Sequence, residues 1–240
     1  MAKPEPLLVC ENLTLGYEGK AVVSGLSFSV SEGDYLCVMG ENGSGKSTLL
    51  KTILKLQAPL SGRITVGGAN KSAFGYLPQQ TASQRDFPAS VREIVRSGCL
   101  GRCGLRPRYG KAEKELAEEN MRKLGVAPYA GRCFRELSGG LQRRALLARA
   151  LCAAQRALLL DEPASGLDPE ATREMYALIA GLNAAGTTVI MVSHDIAASL
   201  EYVSHVLHIG LQKTLFFGAK DEYAASGVAR AGAAAGGAKA

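Results

Sequence analysis

Tyr35-Leu36-Cys37-Val38-Met39-Gly40-Glu41-Asn42-Gly43-Ser44-Gly45-Lys46-Ser47-Thr48-Leu49-Leu50 is the stretch that decides the fold. Its first five residues are uncharged and mostly apolar, the pattern of a strand covered on both faces in a parallel sheet. A Gly-x-x-x-x-Gly-Lys-Ser loop follows, and Thr48 to Lys51 favour helix. Strand, loop and helix together are the setting in which glycines bend the backbone into a concave nest of N–H donors, to which the helix adds its positive end. A polyphosphate can be held there by dipoles alone. Lys46 supplies a mobile charge for the β- and γ-phosphates, and the Ser47 hydroxyl suits a bridging Mg²⁺. Nucleotide binding is the direct implication, with Gly40, Glu41, Asn42, Gly43, Ser44, Gly45, Lys46, Ser47 and Thr48 as the contact set.

Working outward, short apolar runs read as strands at Leu7–Leu15, Leu26–Val30, Arg63–Val66, Ala157–Leu160 and Thr187–Ser193. Helical stretches lie between them. The clearest starts at Pro169 with Asp168 as N-cap and ends before Gly186. Alternation of strand and helix makes the class α/β. The stretch from 85 to 154 breaks the rhythm, favouring helix from Lys111 to Leu124 and again from Leu141 to Ala154, and is expected to be a helical subdomain inserted in one domain spanning 1–224. Residues 225–240 hold eight Ala and four Gly and are expected to be a disordered tail.

At 240 residues, 47% hydrophobic and 21% charged, the chain is long enough to bury a core and has no run approaching the ~20 apolar residues of a spanning helix. Six scattered cysteines and the absence of a signal-like N-terminus are expected to mean free thiols and a cytoplasmic address. The net charge of +6 is largely local: between Arg85 and Lys111 seven basic residues face two acidic ones. Such a patch can serve nucleic acid, anionic headgroups or an acidic partner. His205 and His208 lie on a strand, where positions three apart face opposite sides and cannot share an ion. Cys99 and Cys103 have helical spacing, but Gly98, Gly101 and Gly104 argue against a helix there.

A second chemical site stands at Leu158-Leu159-Leu160-Asp161-Glu162-Pro163, where an apolar strand delivers two acids at its C-terminal end, the ligand edge of open α/β sheets. Asp161 suits Mg²⁺, and Glu162 suits orienting or deprotonating an attacking water. Leu137-Ser138-Gly139-Gly140-Leu141-Gln142 opens a helix with Ser138 as N-cap. With Ser193-His194-Asp195 further on, these four motifs in this order resemble an ATP-binding-cassette (ABC) ATPase, over about residues 7–222. The resemblance implies a phosphate-loop NTPase core of ABC type with an inserted helical subdomain and an N-terminal antiparallel β portion. It further implies ATP and Mg²⁺ as ligands, Tyr17 stacking on adenine, and Gln79 reaching Mg²⁺ and the water. His194 then contacts the γ-phosphate, and Asp168 lies in the loop that crosses a dimer interface. Ser138, Gly139, Gly140 and Gln142 complete the ATP site of a second copy, so that a homodimer sandwiches ATP.

One cassette without a spanning helix implies separately encoded membrane permease subunits, a substrate-binding protein beyond them, and a peripheral place on the cytoplasmic face of the membrane. The segment from Arg85 to Arg108, following Gln79, is expected to meet the permease, with Arg92 and Arg96 sharing a helical face. Phe74 to Gln79 and Asp86 to Val95 are similar to importers of zinc, manganese or iron, and not far from iron-chelate and cobalamin importers. A non-transport ABC ATPase acting on nucleic acid is the alternative; such relatives usually carry a second cassette, a coiled coil or an extra binding domain, so no nucleic acid is expected.

Overall fold

The computed structural model describes residues 6–67, 74–79, 86–195 and 199–229. The chain forms two compact units, one from 1–69 with 183–240 and the other from 70–182. In chain order the first unit contributes β1 (Leu8–Tyr17), β2 (Lys20–Val30), β3 (Tyr35–Gly40), α1 (Lys46–Ile53) and β4 (Ser61–Val66). The second contributes β5 (Phe74–Leu77), α2 (Val91–Ser97), α3 (Leu100–Cys103), α4 (Lys111–Lys123), α5 (Gly139–Ala153), β6 (Ala157–Asp161) and α6 (Pro169–Ala184). The chain then returns to the first with β7 (Thr188–Val192), β8 (His205–Ile209), β9 (Gln212–Ala219) and α7 (Lys220–Ala225).

In the first unit the strand order is β4-β1-β2-β9-β8-β3-β7. β1 runs antiparallel to both β2 and β4, while β3 runs parallel to β7 and β8. The two halves of this sheet differ because their sequences do. In β2, Leu26, Phe28 and Val30 are buried and alternate with exposed residues, the signature of a strand with one wet face. In β3 and β7 every residue but Gly40 is buried, as their continuous apolar runs require. Glu18 and Gly19, at φ 50° and 78°, form the two-residue hairpin turn whose twist matches the flanking strands β1 and β2.

The second unit pairs β5 with β6 in parallel and gathers its helices on α5. Ser138 caps α5 by accepting from the Leu141 N–H at 3.4 Å, and Leu147, Ala148, Ala145 and Cys152 on that helix are buried. Ser90 and Glu93 form a reciprocal capping box at the start of α2. Asp168 caps α6 through the Ala171 N–H at 2.9 Å, and Gly186 lies just beyond the helix end.

Several expectations change here. Cys103 donates to the Cys99 carbonyl at 3.5 Å and closes the short helix α3, so the neighbouring glycines do not prevent a helical turn. Burial of both thiols stabilises that turn. Two further strands, β5 and β9, join those read from sequence. All six cysteines are free thiols. His205 and His208 part company as expected: His205 bonds Ser204 at 2.9 Å and His208 bonds the Tyr223 hydroxyl at 2.8 Å. Of the 225–240 stretch, Ala225 ends α7, Ser226 caps it and 227–229 form a helical turn; 230–240, and Arg85 at the head of the expected helical insertion, lie outside the described residues. Among the described residues no helix is long and apolar enough to cross a membrane.

Candidate functional site

In the first unit the loop 41–45 leaves the C-terminal end of β3 and enters α1. Gly40 is required at the start of that loop: at φ 147° an added Cβ would run into the Ile209 carbonyl and lie 2.8 Å from Ser44 Oγ. Gly45, at φ 98°, occupies the N-cap of α1 and offers no side chain to its N–H groups, and the first turn has no acidic residue. Those donors therefore face outward with the helix's positive end behind them, a site made for an anion. Ser47 is exposed in that first turn. Lys46 is 7% exposed, and its ammonium donates to the Gly40 and Glu41 carbonyls at 2.8 Å each, which curls the side chain over the loop. Thr48 is buried, and its hydroxyl lies 2.9 Å from that of Tyr17. This bond fixes a tyrosine whose ring is half exposed, so that a flat aromatic face stands beside α1.

Behind the loop, His208 of β8 pairs with Met39 in register. Its pKa is lowered chiefly by burial, with Lys46 adding to the effect and Glu41 opposing it. Ser193, at the end of β7, accepts from the Asp195 N–H at 3.1 Å. That turn presents His194 at the surface.

In the second unit β6 ends on Asp161, which is buried and bonded by the Tyr76 hydroxyl. The Tyr76 phenol is pushed up to about 12 by burial first, then by the Asp161 charge and hydrogen bond. Glu162 follows at φ 50°, a left-handed conformation costly for a residue with a Cβ. Strain of that kind concentrates at functional positions. Its carboxylate accepts from Gln79 Nε2 at 3.0 Å, so two residues 83 apart in sequence are brought together. Gln142 is buried and donates to the Phe134 carbonyl at 3.1 Å, supporting the approach to Ser138 from within. At Gly139 and Gly140 an added Cβ would meet only Leu167 at 3.8 Å and Ala171 at 3.7 Å, ordinary contacts. Packing within the unit does not demand glycine at either position.

Two supporting residues escaped the sequence reading. Tyr76 entered only within the Phe74–Gln79 stretch that is similar to metal importers, with no role of its own, and Arg143, fully buried, donates to the Ser165 carbonyl at 3.1 Å and so ties α5 to the loop after β6. A buried arginine on a helix carries no sequence signal of its own. The donors of Ser47, Gln79 and Asp161 are hydroxyl, amide and carboxylate oxygens, the hard set that Mg²⁺ takes.

Residues 23–165 match the family model described as ABC transporter. The manganese transport system ATP-binding protein MntB of Bacillus subtilis is 39% identical over 210 residues, covering 86% of this chain and 84% of that protein. The zinc uptake system ATP-binding protein ZurA of Listeria innocua is 34% identical over 225 residues, covering 90% and 87%. Among solved structures, a transporter described as metal-chelate ABC type, in an inward-facing conformation, superposes with a TM-score of 0.82 at 30% identity, covering 91% of this chain and 85% of that one. A nucleotide-free ATP-binding cassette of an ABC transporter gives 0.78 at 21% identity, covering 93% and 96%, which speaks to the fold.

Proposed function

The chain belongs to the ABC transporter family, and from that premise we propose that it is the ATP-hydrolysing subunit of an importer for a metal ion, zinc, manganese or iron, driven through separately encoded permease subunits. The observation that carries the hydrolytic reading is the phosphate loop itself, an uncapped helix start with its N–H donors and Lys46 gathered at the end of a buried strand. Similarity to a manganese and a zinc system supports the cargo. The likeness to a metal-chelate type transporter favours a chelated metal as the second reading.

In this reading the loop N–H groups and Lys46 neutralise the triphosphate, and Tyr17 offers its ring to adenine. Glu162 orients and deprotonates the attacking water, held in place by Gln79. Mg²⁺, when bound, draws charge from the β- and γ-oxygens, with Ser47, Asp161 and Gln79 as its holders. His194 reaches the γ-phosphate, and Asp168 belongs to the loop that meets the second copy. Ser138, Gly139, Gly140 and Gln142 of that copy close the site, which makes the working form a homodimer clasping ATP on the cytoplasmic face of the membrane.

A permease segment docks in the second unit. There a 390 Å³ groove, lined by Pro78, Phe87, Ile94, Phe134 and Leu146 among others, begins one residue before Gln79. Phe87 stands 56% exposed at this groove. Copurification of a permease with the tagged chain, followed by ATP-dependent uptake of radiolabelled manganese, zinc or iron into vesicles carrying both, tests the proposal. Uptake of none of the three ions, with ATP hydrolysis intact, overturns the free-ion cargo, and uptake only of a chelate selects the second reading.

A further inference from the structure

Residues 98–111 contain Arg102, Arg106, Arg108 and Lys111 and no acidic residue. They form α3 and the turn that leads into α4, and the surface they present is apolar as well as basic. Leu105 is fully exposed and Leu100 is 61% exposed. Leu105 sits between Gly104 and Pro107, on a turn with nothing of its own unit covering it, and Arg106 and Arg108 flank it on the exposed surface. Arg102 is anchored from behind by the Cys152 carbonyl at 2.8 Å and the Ala154 carbonyl, which hold its charge in place without neutralising it. Arg106 is balanced by Glu113 and Lys111 faces Glu115, so the unbalanced charge rests on Arg102 and Arg108, on either side of Leu105.

An exposed leucine is unremarkable by itself. Two of them standing among guanidinium groups, on a segment without carboxylates, match one chemistry closely: an interface with phosphate groups at its surface and hydrocarbon just beneath. Guanidinium groups bind phosphate oxygens in a planar, forked geometry, and their stems tolerate an apolar neighbourhood. A polynucleotide would satisfy the charges and leave Leu100 and Leu105 in water. The segment also adjoins the groove assigned to the permease, since Ser97 lines that groove and Gly98 begins the segment. The first of the two contacts is therefore placed beside the second along the chain.

We propose that the segment 98–111 is a lipid-contact surface, in which Leu100 and Leu105 enter the headgroup boundary of an anionic bilayer and Arg102 and Arg108 bind its phosphates. The chain contains no tryptophan, so Leu105→Trp provides a single reporter at the point of contact. With the full-length chain and no permease present, vesicles of phosphatidylglycerol and phosphatidylcholine should shift its emission to the blue. Vesicles of phosphatidylcholine alone should not, because the arginines then find no net negative surface. In flotation with the otherwise unaltered chain, Arg108→Glu should lower the bound fraction about tenfold. Leu105→Asp should lower it to a similar degree, and Lys213→Glu, an exposed reversal in the other unit, should leave it within twofold. All three variants should keep the ATPase rate and melting temperature of the parent chain. An emission maximum indifferent to anionic vesicles, an equal shift on neutral ones, an equal loss with the Lys213 control, or retention on polynucleotide without binding to vesicles would each overturn the proposal. Because no permease or cargo enters the measurement, its failure would leave the transport reading untouched.

Discussion

Glu162 combines the costliest backbone on the ligand edge with the side chain to which the hydrolytic step is assigned. At φ 50° its carboxylate is turned off the line of β6 and toward Gln79, 3.0 Å away. Glu162→Gln keeps size and backbone and removes only the charge. We expect ATP binding to stay within about twofold while turnover falls by roughly 10²- to 10⁴-fold, the usual worth of a positioned base. Equilibrium binding of a fluorescent ATP analogue alongside phosphate release checks both halves, and a variant with near-parental turnover would remove Glu162 from the mechanism. His208 invites a different test. Its pKa is held down by burial and by Lys46, so as pH falls through the unfolded value of roughly 6.5 the unfolded chain takes up a proton that the folded chain refuses. Stability therefore declines from pH 7 toward pH 5 and is fully present above the unfolded value. Thermal melts across that range should show a smaller decline for His208→Gln than for the parent chain, and identical slopes would mean that other groups set the acid limit.

Helix α2 shows how an element changes the meaning of residues read singly. Arg92 and Arg96 do share one face, as their spacing implies, but that face meets Glu118 of α4, at 3.0 and 3.2 Å. Reversing both charges therefore sets three carboxylates together before any permease is involved. Arg92 and Glu118 are partly exposed and water screens them, so each pair is worth at most about 1 kcal/mol. The double reversal should cost roughly 1–2 kcal/mol, or about 2–8 °C in melting temperature for a domain of this size. Adding Glu118→Arg should return most of that loss. Loss of transport that persists after this rescue would assign the arginines a direct role at the permease. The same scale explains what was legible. Strands β3, β6 and β7 announce themselves by unbroken apolar runs, and α6 by its Asp-Pro start and closing glycine. β5 has four residues, too few for a period to show, and β9 opens on Gln-Lys-Thr and is only partly buried, so neither carries the pattern of a strand. The turn at Cys99 to Cys103 forms against its glycines because two buried thiols outweigh a propensity of about 1 kcal/mol per glycine.

Across the whole molecule, the phosphate loop, the strand acids and the Ser-Gly-Gly helix start were all readable as local motifs, since each is a few consecutive residues whose chemistry depends on their own backbone. Partnerships such as Gln79 with Glu162, Tyr76 with Asp161 and Arg143 with Ser165 were not all readable, because they join residues distant in sequence and depend on how β5, β6 and α5 pack. The partnership between copies lies one level further out. Gly139 and Gly140 are not required by packing within their own unit, which fits a role toward a ligand that another chain brings. A phosphate loop grips one side of a triphosphate, and a second helix start with a hydroxyl donor can close the exposed γ-phosphate. If that second helix comes from a partner, a monomer binds ATP and hydrolyses it slowly. The arrangement makes a demand on mixed dimers: one chain carrying Lys46→Ala and the other Ser138→Arg leave one composite site with both defects and one with neither. Homodimers of either variant contain two damaged sites. At equal total protein the mixture should regain up to about a quarter of the parental rate, since half of its dimers are mixed and each of those has one of two sites intact. A mixture no more active than its components would mean that the two sites hydrolyse only in concert or that each copy closes its own site. ATP-dependent crosslinking that joined Ser138 to the γ-phosphate of its own chain would show that each copy closes its own site.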